Sequence, residues 1–582
     1  MENKELLEQV IGRAQTWLSG NYDEETKSEV KRMLDNEDKT ELIDAFYRDL
    51  EFGTGGLRGI MGAGTNRVNK YTMGSATQGL SNYLLQEFSS LDQIKVVIGY
   101  DCRNNSQKYA QIVADIFSAN GIKAYMFKEL RPTPEISYAI RKLGCQSGVM
   151  LTASHNPKEY NGYKAYWNDG AQVIPPHDKN IIAEVNRIKS VDDIKFKANP
   201  ALIETISDSM DDMFIEEVKT ILLSPDSIKR NPDIKIVYTP LHGTGSTIIP
   251  RALNAYGFEH VIAVPEQYVH DGNFPTVEYP NPEEASAMAM ALKKGEETNA
   301  DLIFATDPDA DRFGAGIRND KGELILLNGN QTMIMLVYYI VTRWKELGKL
   351  TGKEYTVRTI VTSELTQKIS EKNGVEMFEC YTGFKWIASV MRELEGKRQY
   401  IGGGEESYGF LAEDFVRDKD SVSAAALFGE MAAWCKDNGR TLYEMLQDIY
   451  IEYGFSKEKG ISVVRKGRTG AEEIENMMKN FRNNPLAEIA DSKVILIKDF
   501  ATLRAQDIRL NETYTLEMPT TSNVLQYFTE DGTKVSIRPS GTEPKIKFYI
   551  EVKDKLDSRE NYEAINEATE KKIEQICKDL GI

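Results

Sequence analysis

The sequence has few cysteines and no long apolar segment. Its five cysteines are an odd number and show no CxxC spacing, which argues against a disulfide framework. The longest apolar run, residues 332–341, is far shorter than the roughly 20 residues that a membrane-spanning helix needs. The N-terminal stretch MENKELLEQV is charged and lacks the apolar core of an export signal. We therefore expect a soluble, cytoplasmic protein in a reducing compartment.

Acidic residues outnumber basic ones. The formal net charge is −18, from 71 Lys and Arg against 89 Asp and Glu. This balance disfavours nucleic acid and anionic membranes as partners. Small phosphorylated ligands remain possible, because a local basic loop can bind them. The 582 residues, of which 41% are apolar, are enough for several packed domains.

Short apolar runs separated by helical material occupy most of the chain. They are typical of buried strands joined by crossover helices. The pattern restarts near Ile234 and again near Val357, so three α/β units in series are the simplest interpretation. The runs cover residues 94–101, 123–129, 147–152, 234–243, 260–264, 301–307, 357–363 and 398–407.

The C-terminal part has a different pattern. A polar zone rich in Lys and Asn, around residues 460–484, is predicted to separate the α/β units from a last unit. That unit is predicted to be an antiparallel sheet followed by a helix from about 557 to 579. Its four predicted strands are 513–518, 521–529, 534–540 and 545–552. The predicted fold class is thus α/β, with a smaller α+β unit at the end.

The first candidate loop places Ser154 beside His155 after an apolar run. The letters SHNP are also typical of an ordinary turn. A serine hydrolase is a second interpretation, but the GxSxG elbow is absent here and a base need not be adjacent in sequence. The five histidines leave a triad open, although no pattern indicates one.

The second loop, DPDADR at residues 307–312, carries Asp307, Asp309 and Asp311 directly after an apolar run. Three carboxylates at alternate positions repel each other unless a cation lies among them. An EF-hand does not fit, because Arg312 and Arg318 occupy positions where that loop needs Gly and Glu. Hard oxygen ligands without His or Cys favour Mg²⁺. A phosphatase with Asp307 as nucleophile is the alternative.

Two further loops offer groups for sugars and phosphates. GGGEESYG at residues 402–409 combines close backbone approach with the acceptors Glu405 and Ser407, which suits sugar hydroxyls. RPSGTEPK at residues 538–545 has the groups of an anion-binding nest. Either loop could instead be an ordinary turn. The groups in the second of them are Arg538, Ser540, Gly541, Thr542 and Lys545.

Taken in order, TASHNP, DPDADR, GEES and RPSGTEPK resemble the four signature loops of the α-D-phosphohexomutases, over nearly the whole chain. The resemblance implies three related α/β domains and a smaller C-terminal α+β domain around a central cleft. We place the domains at residues 1–205, 206–325, 326–455 and 456–582.

The resemblance also implies that Ser154 is phosphorylated and carries the phosphoryl group. Mg²⁺ would be bound by that phosphate together with Asp307, Asp309 and Asp311. Lys164 matches a position that acts as general acid or base, and a crowded cationic site is expected to lower its pKa. Lys385 is a second candidate for proton transfer.

Other residues match positions that bind substrate in the family. Arg58, which lies in a glycine-rich segment that is neither a P-loop nor a GxGxxG motif, matches a position that supports the transferring phosphate. His155 and Arg312 match such positions too. The substrate-binding residues implied by the resemblance are Thr54, Arg312, Thr382, Glu405, Ser407, Lys419, Arg538, Ser540, Gly541, Thr542 and Lys545.

The implied reaction converts glucose 1-phosphate into glucose 6-phosphate through glucose 1,6-bisphosphate, which also acts as activator. In TGFKWI, Phe384 and Lys385 stand where the mannose-accepting branch has His, which favours the glucose and pentose branches. Phosphopentomutase activity is therefore the first alternative, followed by phosphomannomutase and an Asp-based phosphatase. A sugar-phosphate-binding protein without turnover is a further alternative. The resemblance implies a monomer, with a dimer as the alternative.

Overall fold

Three helices precede the first sheet of the protein. The computed structural model describes residues 2–53, 56–465, 467–540 and 545–582. The helices pack around their own small core, which includes Trp17 and Phe46. Asp23 accepts a hydrogen bond from the Thr26 N–H and so caps the second helix. The three helices are α1 (Glu2–Ser19), α2 (Glu24–Asp35) and α3 (Thr40–Phe46).

The first sheet has six strands in the order β1-β5-β4-β2-β3-β6. Strands β2, β3, β4 and β6 pair in parallel, and β5 runs antiparallel to β4 and β1. The elements are β1 (Gly56–Ile60), α4 (Lys70–Glu87), β2 (Lys95–Tyr100), α5 (Ser106–Ala119), β3 (Lys123–Phe127), α6 (Thr133–Lys142), β4 (Ser147–Leu151), β5 (Tyr160–Trp167), α7 (His177–Arg187) and β6 (Ile203–Ile206).

The second sheet repeats this plan with five strands, in the order β11-β10-β9-β7-β8. Strands β7, β8 and β9 are parallel, and β10 runs antiparallel to β9. The elements are α8 (Ser209–Lys219), α9 (Pro225–Arg230), β7 (Lys235–Thr239), α10 (Ile249–Tyr256), β8 (His260–Ala263), α11 (Ala285–Thr298), β9 (Leu302–Thr306), β10 (Phe313–Arg318) and β11 (Leu324–Leu326).

The third sheet has four strands in the order β13-β12-β14-β15. Strands β12, β13 and β14 are parallel, and β15 is antiparallel to β14. The elements are α12 (Gly329–Glu346), β12 (Glu354–Thr359), α13 (Leu365–Lys372), β13 (Glu376–Cys380), α14 (Phe384–Leu394), β14 (Gln399–Glu405), β15 (Gly409–Leu411), α15 (Ser421–Asp437) and α16 (Leu442–Tyr453).

The fourth sheet is antiparallel and contains eight strands. Its long path runs β16-β23-β22-β21-β18-β19-β20, and β17 pairs with β18. The elements are β16 (Phe455–Val464), α17 (Gly467–Asn483), β17 (Glu488–Ile489), β18 (Ser492–Asp499), β19 (Arg504–Asp507), β20 (Glu512–Thr515), β21 (Leu525–Thr529), β22 (Lys534–Pro539), β23 (Lys545–Asp554) and α18 (Tyr562–Leu580).

The polar zone predicted to separate the last unit is instead part of that unit. Residues 460–484 contain the end of β16 and the whole of α17. Ile474, Met478 and Phe481 are spaced along one face of α17 and are buried in the core of the fourth sheet. The prediction was wrong because the polar face of an amphipathic helix dominates its composition.

The three α/β units share one arrangement. A central parallel strand ends in a loop that turns back into an antiparallel neighbour, as β4 does into β5, β9 into β10 and β14 into β15. The structure thus confirms three α/β units followed by an α+β unit. The boundaries at 205, 325 and 455 stay predictions. Among the described residues, none of the helices is both long and apolar enough to span a bilayer.

Candidate active site

Two of the predicted loops meet at Ser154. This residue follows β4, is 4% exposed and has a left-handed backbone conformation with φ of 52°. Its Oγ donates a hydrogen bond to Asp307 Oδ2 at 2.7 Å and lies 3.2 Å from His155 Nδ1. A Ser-His-Asp triad places the imidazole between serine and carboxylate. Here Asp307 contacts the serine directly, so the geometry is not that of a triad.

A buried ion pair shapes the Ser154 loop. Arg103 Nε lies 3.4 Å from Asp101 Oδ2, and both side chains are fully buried. The Arg103 guanidinium donates to the carbonyl oxygens of Ser154, at 2.6 Å, and of Asn156. Asp101 accepts from the Thr152 hydroxyl at 2.7 Å, and the Thr152 oxygen accepts the Ser154 N–H at 2.8 Å. The pair therefore fixes the backbone that presents Ser154.

Replacing Arg103 by methionine should lower the free energy of unfolding by about 3–5 kcal/mol, because the buried Asp101 carboxylate loses its partner. Equilibrium urea unfolding measures this loss. Arg32→Met is the matched control, since Arg32 forms an ion pair with Glu41 in which both side chains are exposed and which should contribute less than about 1 kcal/mol. Losses of equal size in the two variants would contradict a loop-shaping role for Arg103.

The three aspartates after β9 form a buried acidic cluster. One carboxylate oxygen from each of Asp307, Asp309 and Asp311 lies within 4.8 Å of the others. Asp309 Oδ1 and Asp311 Oδ1 are buried and have no hydrogen-bond partner among the described residues. Burial, and then the charges of Asp309 and Asp311, raise the pKa of Asp307 well above its ordinary value. Unpartnered hard oxygens at this spacing fit a divalent cation such as Mg²⁺.

Lys164 lies inside this acidic cluster. It projects from β5, and its Nζ donates to Asp309 Oδ2 at 2.6 Å and to Asp311 Oδ2 at 2.8 Å. The expected lowering of its pKa is wrong in this structure. Burial favours the neutral amine, but the charges of Asp309 and Asp311 outweigh burial and raise the pKa.

Several cations surround the Ser154 loop. Arg58, on β1, donates from Nη1 to Asn156 Oδ1 at 3.1 Å. The Arg312 backbone N–H donates to Asp307 Oδ1 at 3.1 Å, and its guanidinium pairs with Glu283. Burial and the nearby cations, Arg312 first and then Arg58, lower the pKa of His155 well below its ordinary value. Both effects favour the neutral imidazole.

Lys419 joins the third unit to the acidic cluster. Its Nζ lies 3.1 Å from Asp311 Oδ2 and 3.3 Å from Asp418 Oδ1. Asp418 in turn accepts hydrogen bonds from Tyr166 and Gln172 of the first unit. The Lys419 side chain passes close to Gly409. A Cβ atom at that position would lie 2.2 Å from Lys419 Cδ, so the glycine leaves room for the lysine side chain.

Residues 402–409, the predicted sugar-binding segment that we name the sugar loop, lie next to these groups. Glu405 ends β14, and its Oε1 accepts the Gly383 N–H at 2.6 Å. Thr382 Oγ1 is buried and has no hydrogen-bond partner among the described residues. Ser407 is half-buried in the turn between β14 and β15. Burial lowers the pKa of Lys385 to about 8, and the nearby charge of Arg538 acts in the same direction.

The predicted phosphate loop belongs to the fourth sheet. Arg538 lies on β22, and the Ser540 N–H donates to the Lys545 carbonyl oxygen at 2.7 Å. Thr54, Gly541 and Thr542 lie outside the described residues.

Lys547, which the motif analysis missed, lies opposite Arg538 in register on β23. Its charge contributes to the lowered pKa of His155, so the ammonium lies near that imidazole. The alternation of Lys545 and Lys547 along a strand was the signal for it.

Glu283, Asp101 and Arg103 were also missed by the motif analysis, because their roles depend on contacts between segments distant in sequence. Direct contacts bring together Ser154, the aspartates of DPDADR and Lys419. Glu405 and Arg538 lie close enough to Lys385 for their charges to act on its pKa. A buried serine hydroxyl in contact with a cluster of three carboxylates that fits a divalent cation is the arrangement of an enzyme that transfers phosphoryl groups.

The chain belongs to the phosphoglucomutase/phosphomannomutase family. Four family models match in order: phosphoglucomutase/phosphomannomutase alpha/beta/alpha domain I at residues 49–192, domain II at 212–321, domain III at 328–453 and the C-terminal domain at 478–567.

Curated relatives and solved structures agree with this assignment. A phosphoglucomutase from Staphylococcus haemolyticus is 35% identical over 526 residues, covering 90% of this chain and 93% of the relative. A phosphoglucomutase from Staphylococcus aureus is 36% identical over 528 residues, with the same coverage.

Two solved structures show the same fold. A putative phosphomannomutase from Thermus thermophilus has a TM-score of 0.64 at 22% identity and covers 90% of this chain and 99% of its own. Parafusin, a Paramecium phosphoglucomutase in an open form, has a TM-score of 0.66 at 18% identity, covering 88% and 91%.

Proposed function

We propose that this enzyme interconverts glucose 1-phosphate and glucose 6-phosphate through a phosphoserine at Ser154. The observation that carries the proposal is the direct contact of the Ser154 hydroxyl with Asp307 inside a cluster of three buried aspartates. The names of these two curated relatives support glucose phosphate as substrate.

The proposed reaction has two phosphoryl transfers. In the first, the bond between phosphorus and Ser154 Oγ breaks and a bond to O6 of glucose 1-phosphate forms, giving glucose 1,6-bisphosphate. The hydroxyl proton of the sugar passes to the serine oxygen, and Lys164 is the candidate that relays it. The bisphosphate then turns over, and its 1-phosphate returns to Ser154 Oγ. The bond between phosphorus and O1 of the sugar breaks, the serine proton passes to O1, and glucose 6-phosphate is released. Trace bisphosphate would thus act as activator.

The protein groups around Ser154 have separate proposed roles. The three aspartates would bind Mg²⁺, which when bound offsets the negative charge of the transferring group. Arg58, His155 and Arg312 would orient that group, and we add Lys547 to them. Glu405, Ser407 and Thr382 would accept and donate hydrogen bonds to sugar hydroxyls.

One phosphate must stay bound while the other reacts. We propose that Arg538, Ser540 and Lys545 bind it, together with Gly541 and Thr542, and that Lys419 contacts the sugar phosphate from the opposite side. This binding site belongs to the fourth sheet, whereas the reacting serine follows β4 of the first sheet. The site can therefore hold whichever phosphate of the bisphosphate is not reacting at Ser154.

The test is a comparison of rates on glucose, mannose and ribose 1-phosphates, with Mg²⁺ and trace bisphosphate present. Fast isomerisation of the glucose ester supports the proposal. A much faster reaction of ribose 1-phosphate would favour a phosphopentomutase with the same chemistry. Release of inorganic phosphate without an isomer would contradict the mutase and favour a phosphatase.

We expect kcat/KM to fall as the pH rises above about 8. The pKa of Lys385 is about 8, so its ammonium loses its proton there, and the charge that would attract the sugar phosphate disappears. Lys385→Arg should remove this alkaline limb, because a guanidinium stays charged, whereas Lys385→Met should be slow at every pH. An unchanged limb in Lys385→Arg would assign the titration to another group.

A further inference from the structure

One face of the fourth sheet is polar along two neighbouring strands. Side chains alternate between the faces of a strand, and the odd-numbered residues Val535 and Ile537 of β22 lie in the apolar core. The opposite face carries the candidate phosphate-binding Arg538 at one end and a buried ion pair at the other. In register, its members are the pairs Lys534 with Glu551, Ser536 with Tyr549 and Arg538 with Lys547.

The ion-pair end of this polar face contacts the third unit. Lys534 Nζ lies 2.8 Å from Glu551 Oε2, and the two side chains are 2% and 3% exposed. Lys534 Nζ also donates to the Thr362 carbonyl oxygen at 3.2 Å. Glu551 Oε1 accepts the Glu364 N–H at 3.0 Å. Residues 359–364, which run from the last residue of β12 into the loop after it and which we name the bridging loop, therefore hold the fourth sheet in place.

The same loop contacts the sugar loop through Thr362, which is fully buried. The Glu406 N–H donates to Thr362 Oγ1 at 3.2 Å, and the Thr362 hydroxyl lies 3.1 Å from Glu406 Oε2. Thr359 Oγ1 lies 2.9 Å from Thr362 Oγ1 and 3.3 Å from Glu406 Oε2. Glu406 adjoins Glu405, so the Thr362 hydroxyl fixes the backbone next to a candidate sugar-binding carboxylate.

We propose that Thr362 is a positioning residue that couples phosphate binding on the fourth sheet to the conformation of the sugar loop. Its carbonyl oxygen binds Lys534 and its hydroxyl binds Glu406, so a single buried residue contacts both the fourth sheet and the sugar loop. A shift of β22 on phosphate binding moves Lys534 and the Thr362 carbonyl oxygen that accepts its hydrogen bond. The Thr362 hydroxyl transmits this movement to Glu406 in the sugar loop. This inference rests on the proposed function, because it needs a ligand that carries both a sugar and a phosphate.

The test is a double-mutant cycle on ligand binding, in Ser154→Ala protein so that no transfer occurs. Titration calorimetry measures the affinity for glucose 6-phosphate. With Arg538 present, Thr362→Val should weaken binding about five- to tenfold, the range of a modest coupling. In an Arg538→Ala background the same change should weaken it less than about twofold. Equal losses in the two backgrounds would overturn the coupling.

Two controls distinguish the proposed coupling from a general disturbance of the fold around Thr362. Thr362→Ser keeps the hydroxyl and should restore the affinity, which a purely packing role would not predict. Thr356→Val removes another buried hydroxyl of β12, which binds Ser370 at 2.9 Å and lies outside the bridge, so it should leave the affinity unchanged. If glucose 6-phosphate bound to none of these proteins, the proposed function would fail, and the next measurement would still decide on the coupling.

Hydrogen exchange of residues 402–409 on addition of inorganic phosphate is this second measurement. Phosphate alone should slow exchange in the sugar loop, by about threefold or more. The double variant Lys534→Met/Glu551→Gln removes both buried charges together, so neither is left unpaired, and it should abolish the slowing. Exchange that phosphate leaves unchanged in the parent protein would overturn the inference even if Thr362→Val does not fold.

Discussion

Replacement of Ser154 by alanine should lower kcat by more than about a thousandfold, because the enzyme loses the oxygen that carries the phosphoryl group. The change removes one atom, Oγ, whose hydrogen bond goes to Asp307. The backbone at residue 154 has a positive φ, but alanine has the same Cβ as serine and adds no strain there. The Arg103 contacts to the loop use main-chain oxygens and are preserved. The fold should therefore survive.

A coupled assay for glucose 6-phosphate measures the loss. Ser81→Ala is the matched control, since Ser81 is buried in α4 and, among the described residues, its hydroxyl binds only the Thr77 carbonyl oxygen of the same helix. Its activity should stay within about twofold of the parent enzyme. The Ser154→Ala protein should still bind glucose 1,6-bisphosphate. A variant that retained more than a tenth of the activity would exclude Ser154 as the carrier.

The chemical nature of the phosphoenzyme gives an independent result. Enzyme incubated with labelled bisphosphate should carry an acid-stable label on the peptide that contains Ser154. A label on Asp307 that hydroxylamine removes would identify an acyl phosphate and favour the phosphatase. The two outcomes differ because serine phosphate is an ester, whereas aspartyl phosphate is a mixed anhydride.

Replacement of Asp309 by asparagine should lower the rate by about a hundredfold or more and raise the Mg²⁺ concentration needed for half-maximal activity. The change removes one negative charge and replaces a carboxylate oxygen by an NH₂ group, which is not a metal ligand. A loss of about 2.7 kcal/mol in transition-state stabilisation corresponds to that factor. Asp309 is fully buried and its Oδ1 lacks a partner among the described residues.

Asp320→Asn is the control for this charge change, because Asp320 is exposed in the turn between β10 and β11.

The thermal stability of the protein with and without Mg²⁺ gives a second measurement, which does not depend on turnover. Mg²⁺ at 100 times its dissociation constant should stabilise the parent protein by about 2.7 kcal/mol, which raises its thermal midpoint. Asp309→Asn should show a much smaller rise. A parent enzyme that is fully active in excess EDTA would contradict a metal site at these aspartates.

The motif loops were predictable because each is a short segment whose chemistry is local. Ser154 and Asp307 follow strands that the apolar runs indicated, and the structure brings their side chains within hydrogen-bond distance. The family assignment made from these loops is confirmed by the four domain matches. The roles of the individual residues stay predictions until the variants are measured.

Contacts between distant segments were not predictable. In the sequence nothing distinguishes Arg103 from an ordinary loop arginine. In the structure it donates to the main-chain oxygens of Ser154 and Asn156, about fifty positions later in the chain. The pKa of Lys164 was predicted to fall because the loop was expected to be cationic. In the structure the strongest neighbours of its ammonium are Asp309 and Asp311, from another unit, so the direction is the opposite.

The sequence by itself determined the chemical groups of this enzyme and the class of fold that presents them. Residue type and spacing suffice for that, because strand and loop patterns are local and a side chain keeps its chemistry wherever it is placed. Only the tertiary structure decided which groups act on one another: Lys164 with the aspartates, Lys419 with Asp311, and Thr362 between Lys534 and Glu406. Burial and charge act over a few ångströms, and those distances exist only once the four units have packed together.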